Sequence, residues 1–123
     1  MLTKSRLYHV TRLWVELTRQ LHRTVAPEMQ HQFGSRIGLL LIGAAVYIST
    51  VEGRPMTASG LAAFVGMPRA TLIRRLARLR RLGIVDKVGG TYRTTAKRLD
   101  QLSRNDQAAP LVRLVRATHE KLR

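Results

Sequence analysis

Met56 to Thr95, MTASGLAAFVGMPRATLIRRLARLRRLGIVDKVGGTYRTT, carries in order a short helical period, a break, a longer helical period and a hairpin signal. Thr57 can accept from the free amides of a first turn, Leu61, Ala62 and Val65 supply a buried face, and Gly66 closes that helix. Met67 leads to Pro68, whose fixed φ and missing amide hydrogen suit the start of the next helix. The second helix is expected to run to about Leu82, with Leu72, Leu76 and Leu79 on one face. Thr71, Arg74, Arg75, Arg78 and Arg81 spread over the opposite face, and Gly83 is the stop. Ile84 to Val88 and Thr91 to Thr95 are β-prone and flank Gly89-Gly90, a dipeptide that tolerates the positive φ of a tight hairpin turn. A two-residue turn places Val88 opposite Thr91, Lys87 opposite Tyr92 and Asp86 opposite Arg93. Two helices joined by a tight turn and followed by a glycine-turned hairpin describe a winged helix-turn-helix.

Outward from this segment the chain is helical. Leu7, Val10, Trp14, Leu17 and Leu21 recur at steps of three and four on a helix of about Ser5 to Thr24. That stripe fits homodimerisation and packing within one chain equally well. Pro27 ends this helix or begins another, and Glu28 to Ser35, holding Met29, His31 and Phe33, reads as a connector without a period. An apolar helix from Arg36 to Glu52 follows, then the break Gly53-Arg54-Pro55. Beyond the hairpin come a helix of roughly Ala96 to Arg104, a polar break at Asn105-Asp106-Gln107, and a last helix with Leu111, Leu114, Val115, Thr118 and Leu122 at helical spacing. The expected organisation is an N-terminal dimerisation helix and connector (1–35), a winged helix-turn-helix core (36–98) and C-terminal dimerisation helices (99–123). The fold class is mainly α, with a short two-stranded wing. Ile37 to Val51, the longest uncharged stretch, has 15 residues, short of the roughly 20 that a spanning helix needs. No membrane partner is expected, and with no secretory pattern at the N-terminus the cytoplasm is the simplest location.

Composition narrows the function. Twenty-two Lys and Arg against seven Asp and Glu leave a net charge of +15 on 123 residues, which points to a polyanionic partner, nucleic acid first. A hydrophobic fraction of 45% argues against disorder, and the absence of cysteine excludes disulfides and thiol chemistry. Between Arg69 and Arg98 there are ten basic residues and one acid, Asp86, so the charge concentrates on the helix and hairpin just described. His9, His22, His31 and His119 have no metal-ligand spacing, and no carboxylate pair, Ser-His-Asp set or phosphate-cradling glycine loop occurs. Neither an enzyme nor a cofactor is expected. Tyr92 is the one aromatic residue in the basic region, which leaves little platform for stacking single-stranded bases.

The segments Met56-Thr57-Ala58-Ser59-Gly60-Leu61-Ala62, Val65 to Leu72, Arg78 to Val85 and Thr95-Ala96-Lys97 together resemble the MarR-type bacterial transcriptional regulators. The resemblance covers about Arg36 to Leu102, and it implies a homodimer, joined by its terminal helices, that binds a palindromic operator and is often released by a small ligand. Pro68 stands where the family usually has a polar N-cap, the wing is short and lacks the family's acidic-and-arginine motif, and Ala63 and Phe64 occupy commonly polar positions. On this reading Thr71, Arg74, Arg75 and Arg78 meet the major groove, with Thr71 and Arg74 reading bases. Arg78, Arg81 and Lys87 meet mostly phosphates, and Arg69 touches a phosphate or packs its stem. Arg93 either contacts DNA from the wing or pairs with Asp86 across the strands. Trp14, Phe33 and Tyr47 are the candidates to line a pocket for a small aromatic ligand. The expected function is sequence-specific regulation, most simply repression, on double-stranded DNA. The alternatives are an architectural protein that coats DNA through charge alone, and a subunit whose basic face meets an acidic protein.

Overall fold

In a computed structural model, residues 4–27, 36–104 and 107–123 are described. The connector positions Met29, His31 and Phe33 and the break at Asn105-Asp106 lie outside them. The order is α1 (Arg6–Gln20), continued by a π-helical turn (Leu21–Val25), then α2 (Arg36–Val51), α3 (Ala58–Val65), α4 (Arg69–Arg81), β1 (Val85–Val88), β2 (Thr91–Thr94), α5 (Ala96–Arg104) and α6 (Ala108–Leu122). This is a winged helix-turn-helix flanked by terminal helices.

The core is a three-helix layer closed by the hairpin. From α2, Leu39, Ile42, Ala45 and Val46 are buried, from α3 Leu61 and Ala62, and from α4 Leu72, Leu76 and Leu79. Local signals set the ends of these helices. The Thr57 hydroxyl accepts from the Gly60 amide at 3.1 Å, and Gly66 ends α3 in the left-handed region at φ 72°, which a β-carbon would disfavour. Pro68 precedes α4 without a side-chain cap, and its carbonyl accepts from the Leu72 amide at 3.0 Å.

The hairpin has the expected register, with Asp86 across from Arg93, Lys87 from Tyr92 and Val88 from Thr91. Its root is stitched into the helical layer. The Tyr92 amide donates to the Met56 carbonyl at 3.0 Å, and the Thr94 amide donates to the Thr50 hydroxyl on α2 at 2.9 Å. Thr95 then caps α5, accepting from the Arg98 amide at 3.1 Å and donating to the Gly83 carbonyl at 2.8 Å.

α1 packs along α6. Leu13 and Leu17 of α1, Leu21 of the π-helical turn, and Leu111, Leu114, Thr118 and Leu122 of α6 are half-buried, and neither α1 nor α6 has a fully buried residue. The stripe read from the sequence is therefore split. Its C-terminal half and Leu13 serve the chain's own packing, whereas Leu7 and Trp14 remain 74% and 60% exposed. Val115 likewise faces outward.

Because Leu76 is packed at the centre of the layer, Leu76→Ala should lower unfolding free energy by about 2–5 kcal/mol in urea titrations. Removing the α3 cap with Thr57→Ala should cost about 1 kcal/mol.

Candidate nucleic-acid interface

An amphipathic helix presents charge outward only if its apolar face is fixed, and α4 meets that condition. Leu72, Leu76 and Leu79 are at most 1% exposed, so Arg74, Arg78, Arg80 and Arg81 come to lie on the outer surface. Arg69 is also exposed, and its Nε donates to the Ser59 hydroxyl on α3 at 3.2 Å. That bond ties the start of the second helix to the first. Thr71 is half-buried and accepts a long bond from Arg74 Nη2 at 3.5 Å, which keeps the two side chains expected to read bases side by side.

Arg75 points elsewhere. It is half-buried, with its Nη1 3.8 Å from the Met67 sulfur and its guanidinium laid against Gly38 of α2, where a β-carbon would collide with it. The expectation that it faces the groove with Arg74 does not match this geometry, because the glycine opens a slot on α2 into which the long side chain folds. Arg75 is three residues after Leu72 and four before Leu79, so the period sets it at the edge of the buried face, but it cannot show the slot, which belongs to a different helix.

On the wing, Lys87 and Arg93 are exposed. Lys87 Nζ sits 5.7 Å above the ring of Tyr92, a contact that orients the cation without neutralising it. Arg93 lies across from Asp86, yet the ion pairs among the described residues are Arg12 with Glu16, Arg104 with Asp100 and Arg123 with Glu120. The cross-strand register is as read from the sequence, but it does not join these two side chains. Arg80 and Lys97 add exposed charge that the sequence reading did not single out. Arg98 takes charge away from this surface. It is only 9% exposed, and its Nη2 donates to the Val25 carbonyl at 2.8 Å. Its position one turn before Leu102 on the apolar side of α5 was the sequence signal for burial.

Behind the wing lies a cavity of about 560 Å³ between the end of α1, α2, the hairpin root, α5 and α6. Tyr47 lines it, as expected, but Trp14 does not, being on the outer side of α1. Phe33 lies outside the described residues. Among the described residues no three His, Cys, Asp or Glu side chains are grouped so as to hold a metal ion, and no helix is long and apolar enough to cross a membrane.

Residues 48–87 match the family model described as "Bacterial regulatory protein, arsR family", about one third of the chain. The matched stretch runs from the last turn of α2 through α3 and α4 into β1. No curated protein and no solved structure matches the chain. The match supports a DNA-binding transcriptional regulator with a winged helix-turn-helix. It falls on the arsR description rather than on the MarR type suggested by the motifs.

The slot at Gly38 yields a test. In Gly38→Ala the new methyl displaces only the mobile end of Arg75, a small cost, while alanine favours the helix by up to about 1 kcal/mol. Thermal stability should hold or rise. The expelled guanidinium should steepen the salt dependence of DNA binding by about one unit on a logarithmic plot, and Gly38→Ala/Arg75→Ala should return the slope to that of Arg75→Ala.

Proposed function

We propose that the protein is a sequence-specific transcriptional regulator of the MarR type, which acts as a homodimer on a palindromic double-stranded operator and represses by occupying it. The observation that carries this reading is the pairing on α4 of a fully buried leucine face with an exposed arginine face. A helix held in this way fits the major groove, with Thr71 and Arg74 in its first half at base edges and Arg78, Arg81 and Lys87 at phosphates.

The homodimer is supported by the apolar surface left on the terminal helices. Leu7, Val10 and Trp14 on α1 and Val112 and Val115 on α6 are all exposed, and exposed apolar residues repeated along a helix are commonly covered by association. Two copies related by a two-fold axis would place their α4 helices one helical turn of DNA apart, about 34–36 Å. Sedimentation should give a dimer at micromolar concentration, and Trp14→Asp should give a monomer with unchanged helical content. A wild-type monomer would remove the dimer from the reading.

A second reading, an architectural protein that coats DNA through charge, is favoured by the spread of arginines onto the terminal helices, among them Arg6, Arg12, Arg19, Arg113 and Arg116. One pair of variants separates the two. On the preferred operator Arg74→Ala should cost about 1–3 kcal/mol and narrow the gap to random DNA. Arg81→Ala should weaken both duplexes alike and reduce the salt slope by about one unit. Equal losses on specific and random DNA for Arg74→Ala would hand the function to the architectural reading.

A further inference from the structure

A second basic surface lies at the ends of the terminal helices farthest from the winged core. α1 and α6 run side by side, and the segment that continues α1 is tied to the core where the Val25 carbonyl accepts from Arg98. A helical rise of about 1.5 Å per residue sets Arg12 roughly 20 Å from that tie. There Lys4, Tyr8, His9 and Arg12 meet Lys121 from the last turn of α6 and line a recess. Four of these side chains are cationic or become so on taking up a proton, and all five can donate to an anionic oxygen. No carboxylate is among the described lining. Glu16 reaches Arg12 from outside it, accepting from Nε at 2.9 Å, and fixes the guanidinium. Lys4 Nζ sits 5.6 Å above the Tyr8 ring, which meets the His9 ring edge to face at 5.2 Å. Like charges gathered in one recess repel one another and add nothing to packing, so the arrangement gains from a polyanion.

We infer that this recess holds the phosphate backbone of a second DNA duplex, so that the protein bridges two duplexes, one on α4 and the wing and one at the far end of α1 and α6. The chemistry of the lining chooses the occupant. Lys4, Tyr8, Arg12 and Lys121 are exposed and His9 is half-buried, a shallow set of donors that suits a run of phosphates, each contact releasing counterions, better than a lone anion in exchange with water. A single strand would need a free aromatic face for its bases, and the face of Tyr8 is covered by Lys4. An acidic protein would need apolar anchors beside the charges, and the described lining has no aliphatic side chain.

The inference rests on the DNA-binding reading, which supplies the first duplex, but it uses different residues. No side chain of α3, α4 or the hairpin is among the described lining. Dimerisation leaves the recess open. Tyr8 and Arg12, four residues apart, form one row along α1, whereas Leu7, Val10 and Trp14 form another on a different side of the helix.

A capture assay with the full chain tests the bridge. A short duplex is fixed to beads, the protein is loaded onto it, and retention of a second, fluorescent duplex is read. Wild type should retain the second duplex. Lys4→Glu/Lys121→Glu should lower that retention about tenfold through lost phosphate contacts. Arg19→Glu/Arg116→Glu, which changes the net charge equally from exposed positions outside the recess, should lower it far less. Lys4→Arg/Lys121→Arg should keep it. Both charge-reversed proteins should load equally onto the first duplex and show the same helical content by circular dichroism. The inference falls if wild type loads but retains no second duplex, or if the two charge-reversed proteins retain it equally. It also falls if single-stranded DNA or polyglutamate displaces the second duplex as well as unlabelled duplex does at equal charge, which would assign the recess to a single strand or an acidic protein. A wild type that does not load at all removes the DNA-binding reading, and the bridge with it.

Discussion

The burial of Leu72, Leu76 and Leu79 against α2 and α3 is the constraint on which the rest of the molecule depends. Six arginines on one 13-residue helix repel one another, and the sequence between Arg69 and Arg81 would have no fixed face without an apolar anchor. Each buried leucine contributes roughly 1.5–3 kcal/mol relative to exposure, more than the mutual repulsion of solvated cations at a surface. The leucines thus decide the rotation of α4 about its own axis. That rotation decides which arginines face outward and which, like Arg75, are turned onto the protein.

Charge is distributed on a different principle from packing. Ten basic residues lie between Arg69 and Arg98, but Arg98 is committed to the interior by its bond to Val25 and Arg75 to the α2 slot. The charge presented around α4 and the wing is therefore smaller than composition suggests. What remains is better placed, because Arg69 is held through Ser59 and Lys87 through Tyr92. Preorganised cations lose less freedom on meeting an anion than solvated ones do, so fewer phosphate contacts can give the same affinity.

The parts of this fold that were legible in the sequence are those encoded within a few residues. Thr57, Gly66, Gly83 and Gly89 mark ends and turns through their own backbone chemistry, and the hairpin register follows from the length of its turn. The leucine face of α4 was equally plain, being a period. The directions of long side chains were not legible. Arg98 reaches a carbonyl 73 positions away, and the pocket for Arg75 exists because an unrelated helix has a glycine at its first turn. The stripe on α1 shows the same limit. A heptad pattern states that a face is apolar, but not that Leu17 and Leu21 are half-covered while Leu7 and Trp14 are left open. That division depends on where α6 returns, and α6 is set by everything between.

Strand β2 shows how little backbone separates the two surfaces of this protein. Its side chains alternate, with Tyr92 and Thr94 inward and Arg93 outward, as the pleat requires. Inward positions at a hairpin root ordinarily favour apolar branched residues, and valine would fill the place of Thr94 without stranding a hydroxyl. The Thr94 amide is already satisfied by Thr50, and the hydroxyl at this position has no hydrogen-bond partner among the described residues. Neighbouring residues on one strand therefore carry an exposed cation on the outer face and a buried hydroxyl on the cavity side. Because the strand is short and anchored at Met56 and Thr50, the peptide unit shared by Arg93 and Thr94 is held in place, and the helical layer thereby fixes the direction in which Arg93 leaves the wing.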